Sequence, residues 1–211
     1  MTAPVLEVEG LRCLRGGRVV VEGASFAVRP GEHVALTGEN GSGKTTLLRS
    51  LLGLEAPVAG HVRLGGEEMA AGSVAVLRRV GWMPQRLPVG QFPFLVRELL
   101  ASSGSPQAAR DAARRLGVGG LLARPVAELS GGQLQRVFLA RALGSLTAVG
   151  RVPLLVADEP TAALDFAGQA EVADLLTGLE AAALIVTHDE PLARRCDRCL
   201  ALADGRLAEA A

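Results

Sequence analysis

The chain has no excess of charge of either sign: 22 lysine and arginine residues balance 22 aspartate and glutamate residues, and the isoelectric point is about 6.8. The balance argues against a nucleic-acid surface and against an acidic tail for a basic partner. Cysteine is scarce as well, since only Cys13, Cys196 and Cys199 occur. Three cysteines make no disulfide framework, and the C-x-x-C of Cys196 and Cys199 lacks the second pair that a four-ligand zinc site needs. These absences predict a protein of a reducing compartment that does not bind nucleic acid.

Long apolar runs are also lacking, although the mean hydropathy of +0.30 is high. Typical apolar stretches, such as residues 154–157 and 181–186, are far shorter than the ~18 residues of a membrane span. The start, MTAPVLEVEG, has neither the basic nor the apolar region of a signal peptide. We therefore expect a cytoplasmic protein whose membrane association, if any, comes through a partner.

Residues 38–46 read GENGSGKTT and fit the pattern G-x-x-x-x-G-K-[ST] through Gly38, Gly43, Lys44 and Thr45. An apolar run precedes them and leucines at helical spacing follow, which is the strand–turn–helix context of a phosphate-binding loop. Glycines let successive backbone N–H groups turn towards a phosphate, and a helix N-terminus adds positive potential. In such a loop Lys44 reaches the β- and γ-phosphates and the Thr45 hydroxyl holds Mg²⁺. The alternative is a glycine-rich turn that binds nothing.

The rest of the chain predicts an α/β domain with a helical insertion. Short β-rich stretches at 5–8, 19–21 and 24–28 indicate an antiparallel sheet beside the nucleotide. Between about 86 and 148, helices are predicted at 105–116, with Ser105 as N-cap before Pro106, and at 129–143. Residues 152–157 are all apolar, as in a central parallel strand. We divide the chain into segments 1–84, 85–148 and 149–211.

A second glycine motif, Leu129-Ser130-Gly131-Gly132-Gln133, opens the later of these helices. Ser130 and Gln133 form an S-x-x-Q capping box, so local structure alone could explain them. Two glycines in a first helical turn cost helix stability and make sense where a ligand approaches the backbone closely. The motif therefore predicts a second phosphate-binding surface.

Together these motifs resemble the nucleotide-binding subunits of ATP-binding cassette (ABC) transporters over essentially the whole chain. The matching segments follow the family's order: Walker A at 38–45, the Q-loop at Gln85, the LSGGQ signature at 129–133, Walker B at 154–158 followed by Glu159, the D-loop at 163–165 and the switch histidine at His188. The resemblance implies a phosphate-loop NTPase (RecA-like) core with an antiparallel β subdomain and an inserted α-helical subdomain.

The resemblance also implies an ATPase that uses ATP and Mg²⁺ in a head-to-tail dimer, in which each γ-phosphate lies between the phosphate loop of one subunit and the signature of the other. Glu159 would be the general base, His188 would touch the γ-phosphate, and Asp165 would communicate across the dimer. Asp158-Glu159-Pro160 could instead merely end a strand, and His188 could be only a helix-start residue in the capping pattern from Thr187 to Glu190. The implied ligand residues are, for the nucleotide, Gly38, Glu39, Asn40, Gly41, Ser42, Gly43, Lys44, Thr45 and Thr46; for Mg²⁺, Thr45, Gln85 and Asp158; and for the opposite subunit's ATP, Ser130, Gly131, Gly132 and Gln133.

In one respect the chain departs from the family. Family members usually have an aromatic residue, often tyrosine, upstream of Walker A that stacks on adenine, but this chain has no tyrosine. That position falls at Arg15, whose guanidinium group can stack on a π face. Either Arg15 substitutes for the aromatic residue, or base recognition is loose and GTP serves nearly as well as ATP.

Residues 84–88 and 92–97 are similar to the same stretch in ATPases of zinc/manganese-type importers, whereas LRCLR at 11–15 is similar to haem-exporter ATPases. We expect an integral membrane permease to contact the region between Gln85 and Arg97, and the ATPase to sit on the inner face of the membrane as a homodimer or with a paired subunit. The alternatives are the ATPase of a haem or other exporter, a soluble ABC ATPase that remodels a protein or nucleic-acid complex, and a nucleotide-gated module that does not hydrolyse ATP.

Overall fold

The computed structural model describes residues 3–69, 77, 79–85, 94–147, 150 and 152–210. Along the chain the elements are β1 (Leu6–Arg15), β2 (Arg18–Val28), β3 (His33–Thr37), α1 (Lys44–Leu51), β4 (Ala59–Leu64), β5 (Glu67–Glu68), β6 (Gly81–Met83), α2 (Val96–Ala101), α3 (Pro106–Arg115), α4 (Gly131–Leu146), β7 (Leu154–Asp158), α5 (Phe166–Thr177), β8 (Ala182–Val186), α6 (Glu190–Ala193), β9 (Arg198–Ala203) and β10 (Arg206–Glu209). Within these ranges no helix is both long enough and apolar enough to cross a membrane.

A six-stranded sheet with the order β10-β9-β3-β8-β7-β6 forms the centre of the fold. Its strands are parallel except for the terminal hairpin of β9 and β10. Every residue of β7 and β8 is buried, as the all-apolar run at 152–157 predicts for a strand covered on both faces. Parallel strands place their carboxyl ends at one edge, so the residues after β3, β7 and β8 meet there.

Successive residues of the central strands serve two apolar cores on opposite faces of the sheet. Leu154, Val156 and Leu184 belong to the core shared with α1 and the antiparallel sheet. Leu155 and Ile185 belong to the core shared with the helices α2 to α5. This division confirms the predicted architecture of an α/β core flanked by a β subdomain and a helical subdomain.

The antiparallel sheet has the order β2-β1-β4-β5. The prediction of two separate strands at 19–21 and 24–28 is wrong, because β2 is one continuous strand. The polar break at Glu22 and Gly23 is a β-bulge: Leu11 pairs with Ala24 and Cys13 with Val21, so β2 has one extra residue there. Gly23 has a φ of +67°, a conformation typical of glycine in bulges. A bulge and a turn share the same local residues, and pairing with β1 decides between them.

In the helical part, α3 begins as predicted, since the hydroxyl of Ser105 accepts a hydrogen bond from the N–H of Ala108 at 3.4 Å and Pro106 is the first helical residue. No sequence pattern predicted α2. The proposed segment boundaries at 84/85 and 148/149 border residues 86–93 and 148–149, which lie outside the described residues. The three-segment division therefore stays a prediction.

Candidate active site

The phosphate-loop motif connects β3 to α1, as its flanking patterns predict. Gly43, the residue before α1, has a φ of +109° and leaves no room for a side chain, because a Cβ there would lie 2.7 Å from the carbonyl oxygen of Val20. A Cβ on Gly38 would lie 2.3 Å from the carbonyl oxygen of Leu202. These two glycines are required by close backbone approach, which leaves a loop whose N–H groups can surround an anion.

The side chain of Lys44 lies inside this loop. Its Nζ donates hydrogen bonds to the carbonyl oxygens of Gly38 at 2.6 Å and Glu39 at 2.9 Å, and the residue is only 7% exposed. Burial lowers the pKa of Lys44, while the nearby carboxylates of Glu159 and Asp158 act in the opposite direction. A cation held within the loop fits the phosphates of a nucleotide.

Thr45 and Asp158 place a hydroxyl and a carboxylate next to each other at the base of the loop. The hydroxyl of Thr45 donates to Oδ2 of Asp158 at 3.3 Å, and Asp158 is buried at the carboxyl end of β7. Burial is the main reason that the pKa of Asp158 rises to about 6, against the opposing hydrogen bond from Thr45. A divalent cation would relieve this buried charge. A hydroxyl and a carboxylate fit Mg²⁺, which is usually bound through one or two protein ligands together with substrate phosphates.

Glu159 follows Asp158 in a left-handed backbone conformation with a φ of +54°. Such a conformation costs a residue with a side chain about 1–2 kcal/mol. The Glu159 N–H donates to the carbonyl of Val186 at 2.9 Å, and Oε2 accepts from the backbone N–H of His188 at 3.2 Å. Oε1 is buried without a hydrogen-bond partner among the described residues, although Nε2 of His188 lies 3.3 Å away. An unpartnered carboxylate oxygen at the end of β7 can accept a proton from a bound water.

A pocket of about 160 Å³ brings most of the predicted site residues together. Arg15, at the end of β1, and Gln85, after β6, are both exposed residues on its wall. The pocket thus joins the loop, both acidic residues and the switch histidine on one chain. Its lining comprises Arg15, Asn40, Gly41, Gly43, Lys44, Thr45, Thr46, Gln85, Asp158, Glu159 and His188.

The signature motif lies elsewhere on the chain. Ser130 caps α4, because its hydroxyl accepts from the N–H of Gln133 at 3.3 Å and its N–H donates to Oε1 of Gln133 at 3.1 Å, which confirms the capping box. Asp165 similarly caps α5 through the N–H of Gly168 at 2.9 Å. Ser130, Gly131, Gly132, Gln133 and Asp165 line a second pocket of about 510 Å³, which shares no lining residue with the first. One chain therefore does not bring its signature to its own phosphate loop.

The sequence motifs do not single out Gln135 of α4, which is 5% exposed. Its Nε2 donates to the carbonyl oxygen of Glu159 at 2.6 Å, and its Oε1 accepts from the N–H of Ala163 at 2.8 Å. A signal was present in the sequence: Gln135 shares the i, i+3, i+4 face of the helix with the buried Phe138 and Leu139. A polar residue on an apolar face points to a buried partner.

The chain matches the family model described as ABC transporter over residues 21–162. The lipoprotein-releasing system ATP-binding protein LolD of Pseudomonas syringae pv. tomato is 40% identical over 215 residues, which cover 91% of this chain and 90% of that protein. The zinc import ATP-binding protein ZnuC of Paramagnetospirillum magneticum is 39% identical over 194 residues, 88% of this chain and 68% of that protein. The cobalamin import ATP-binding protein BtuD of Halobacterium salinarum is 37% identical over 222 residues, 97% of this chain but 54% of that protein. The chain thus spans about half the length of the last relative.

Solved structures agree on the fold. An ATP-binding subunit of an ABC transporter matches with a TM-score of 0.84 at 27% identity, over 98% of this chain and 89% of that one. A dimeric ATP-binding cassette in a post-hydrolysis state, bound to ADP and Pi, matches with a TM-score of 0.82 at 24% identity over 97% of both chains. Since the family model spans more than half of the sequence and curated relatives align over about nine-tenths of it, the chain belongs to the ABC transporter family of ATP-binding proteins.

Proposed function

We propose that this chain is the ATP-hydrolysing subunit of an ABC transporter. The observation that carries the proposal is the convergence of Lys44, Asp158 and Glu159 on one pocket. Phosphoryl transfer to water requires positioning and charge neutralisation more than covalent chemistry. A buried cation, a buried carboxylate beside a threonine hydroxyl and a free carboxylate oxygen are the groups that such a reaction needs.

In the proposed mechanism the loop N–H groups and Lys44 bind the phosphates. Thr45, Asp158 and Gln85 would hold Mg²⁺, which neutralises charge on the phosphate oxygens when bound. Oε1 of Glu159 accepts a proton from the attacking water. His188 keeps the Glu159 carboxylate in place through its backbone N–H, and its exposed imidazole lies on the pocket wall, where it would touch the γ-phosphate.

The separate position of the signature supports a head-to-tail dimer. Ser130, Gly131 and Gly132 stand at the N-terminus of α4, where an oxygen and bare amides suit a phosphate. These groups would reach the nucleotide of a second chain, with Asp165 beside them at the interface. The solved cassette bound to ADP and Pi is itself dimeric, which is consistent with this assembly.

A membrane permease is the proposed partner, contacted around Gln85 and Arg97. Residues 86–93, including Phe92, lie outside the described residues, and Phe94 packs against the helical core. For the cargo we propose a metal ion such as zinc or manganese. The residues of 84–88 and 92–97 and the zinc-import relative support this choice, whereas other relatives are named for cobalamin and lipoprotein.

The test is a pull-down from solubilised native membranes with Glu159→Gln protein loaded with Mg-ATP, and with the same protein without nucleotide as control. Recovery of a polytopic membrane protein supports the proposal that the chain is a transporter subunit. Recovery of only soluble partners, with the ATP-bound dimer formed, would favour the remodelling ATPase instead. Uptake of Zn²⁺ or Mn²⁺ by the recovered complex in proteoliposomes then tests the cargo.

A further inference from the structure

Gln135 joins α4, the helix that begins with the signature motif, to the segment that follows β7. It lies on the second turn of α4, and its side-chain amide uses both of its ends. The Nε2 donates to the carbonyl of Glu159 at 2.6 Å, and the Oε1 accepts from the N–H of Ala163 at 2.8 Å. Both contacts are buried, because Gln135 is 5% exposed. One side chain therefore forms hydrogen bonds with both ends of the turn from Glu159 to Ala163.

Glu159 needs stabilising hydrogen bonds of this kind because its backbone conformation is unfavourable. A φ of +54° is rarely adopted by a residue with a side chain and persists only where the surroundings enforce it. The N–H of Glu159 is held by Val186 at 2.9 Å, and Gln135 makes the shorter of the two hydrogen bonds to its carbonyl, the other coming from the N–H of Ala162 at 3.3 Å. Without Gln135, the peptide between Glu159 and Pro160 loses its link to α4 and can rotate. The direction of the carboxylate would change with it.

The same turn packs directly on the signature. A Cβ added to Gly132 would lie 3.2 Å from the carbonyl oxygen of Ala163, so the first turn of α4 and the Ala163 backbone are in close contact. Gln135 lies one turn further along the helix and holds the same residue by a hydrogen bond. The position of Glu159 is thus set by the helix that carries the signature.

We propose that Gln135 is the positioning residue that fixes the carboxylate of Glu159 against the signature helix of the same chain. This inference rests on the proposed ATPase function, in which Glu159 is the general base. Gln135 lines neither the phosphate pocket nor the signature pocket. Its effect is therefore on the step that uses Glu159, and ATP binding is unaffected.

The experiment compares the intact protein with Gln135→Met, which keeps the length of the side chain but neither hydrogen bond, and with Gln135→Asn, which keeps the amide but is one methylene too short. The matched control is Gln107→Met on α3, where an exposed glutamine forms hydrogen bonds with Asp111 and Arg110. Three quantities are measured: kcat for ATP, the Kd of a fluorescent ATP analogue, and amide hydrogen exchange of residues 159–164 without nucleotide. Circular dichroism identifies any variant that does not fold.

We expect both Gln135 variants to lower kcat about tenfold to a hundredfold, because a general base contributes about 10²–10⁴-fold and is here displaced but not removed. The Kd should stay within about twofold of wild type, because no nucleotide contact is changed. Exchange at 159–164 should become faster, and Gln107→Met should match wild type. A wild-type kcat in either folded variant, or a loss of kcat matched by a loss of binding, would overturn the proposal.

Failure of the proposed function gives a different result. If wild-type protein with its membrane partner hydrolyses no ATP, the ATPase proposal fails. The exchange measurement still decides the inference about Gln135 in that case, since it needs neither nucleotide nor turnover. Unchanged exchange of residues 159–164 in the Gln135 variants would show that Gln135 does not hold this turn.

Discussion

The imidazole Nε2 of His188 lies 3.3 Å from Oε1 of Glu159, and the backbone N–H of His188 donates to Oε2 of the same carboxylate at 3.2 Å. The two residues come close because β7 and β8 pair in parallel register, with Asp158 opposite Val186. Residues one and two positions beyond these strand ends then meet at the same edge of the sheet. One oxygen of the carboxylate is thereby held by a backbone N–H, while the other faces the imidazole of His188 without a hydrogen bond among the described residues.

Replacing Glu159 by glutamine should lower ATP turnover by about 10²-fold or more, because the amide cannot accept a proton from water. ATP binding should persist, since glutamine keeps the shape of the side chain and an acceptor for the N–H of His188. Steady-state hydrolysis and equilibrium binding measure the two effects. Glu190→Gln is the control, because this exposed carboxylate pairs only with Arg194 among the described residues. Turnover near the wild-type rate would exclude Glu159 as the general base and leave the chain as an ATPase of another mechanism.

His188→Ala should lower kcat about tenfold to a hundredfold and change the KM for ATP much less. The backbone N–H that holds Glu159 survives the substitution. What is lost is the imidazole, with its 3.3 Å approach to Oε1 of Glu159 and its proposed contact with the γ-phosphate. His61→Ala is the matched control, since His61 is an exposed histidine that pairs with Glu68 on the antiparallel sheet.

The alternative capping pattern from Thr187 to Glu190 is wrong, because the N-cap of α6 is Asp189, whose side chain accepts from the N–H of Leu192. An unchanged kcat would leave His188 as a residue that merely precedes this helix.

Asp158→Asn should stabilise the nucleotide-free protein at pH 8. Burial raises the pKa of Asp158 from 3.8 to about 6, so the folded state binds this proton more tightly than the unfolded state. The stabilisation from the protonated form is complete below about pH 4 and is lost as the pH rises through 6. At pH 8 the charge then costs up to about 3 kcal/mol, at about 1.4 kcal/mol per pKa unit.

Thermal melts at pH 8 and pH 4 test this sign, with Asp174→Asn as an exposed control. The melting temperature of Asp158→Asn should exceed that of wild type at pH 8 and approach it at pH 4. The variant should also lose stimulation by Mg²⁺. Destabilisation of Asp158→Asn by the same amount at both pH values would show that the charge of Asp158 does not destabilise the folded state.

Arg15 should give loose base recognition, so that wild-type protein hydrolyses ATP and GTP at comparable rates. Arg15→Tyr should tighten ATP binding about tenfold, because an aromatic side chain stacks on a base with about 1–3 kcal/mol. Arg29→Tyr places the same ring at an exposed position after β2 that does not line the phosphate pocket, and serves as control. A strong preference of the wild type for ATP would show that Arg15, or another group, reads the base.

Sequence patterns predicted the parts of the site that are local. The loop at 38–46 and the capping of α4 by Ser130 depend on residues a few positions apart, so their physics is contained in the motif. Gln135 was missed because its partners lie 24 and 28 positions away, and only tertiary contact defines its role. The bulge at Gly23 was missed for the same reason, since strand pairing distinguishes a bulge from a turn.

The phosphate pocket and the signature surface share no lining residue, and this separation has a kinetic consequence. If each site needs groups from two chains, the rate of ATP hydrolysis per free subunit rises with subunit concentration. Dilute subunits then bind ATP without hydrolysing it. Attachment of two copies to the proposed permease would replace the bulk concentration by an effective one, of about millimolar size for closely linked modules. ATP hydrolysis by unassembled subunits is then suppressed by dilution alone, and no inhibitor is required.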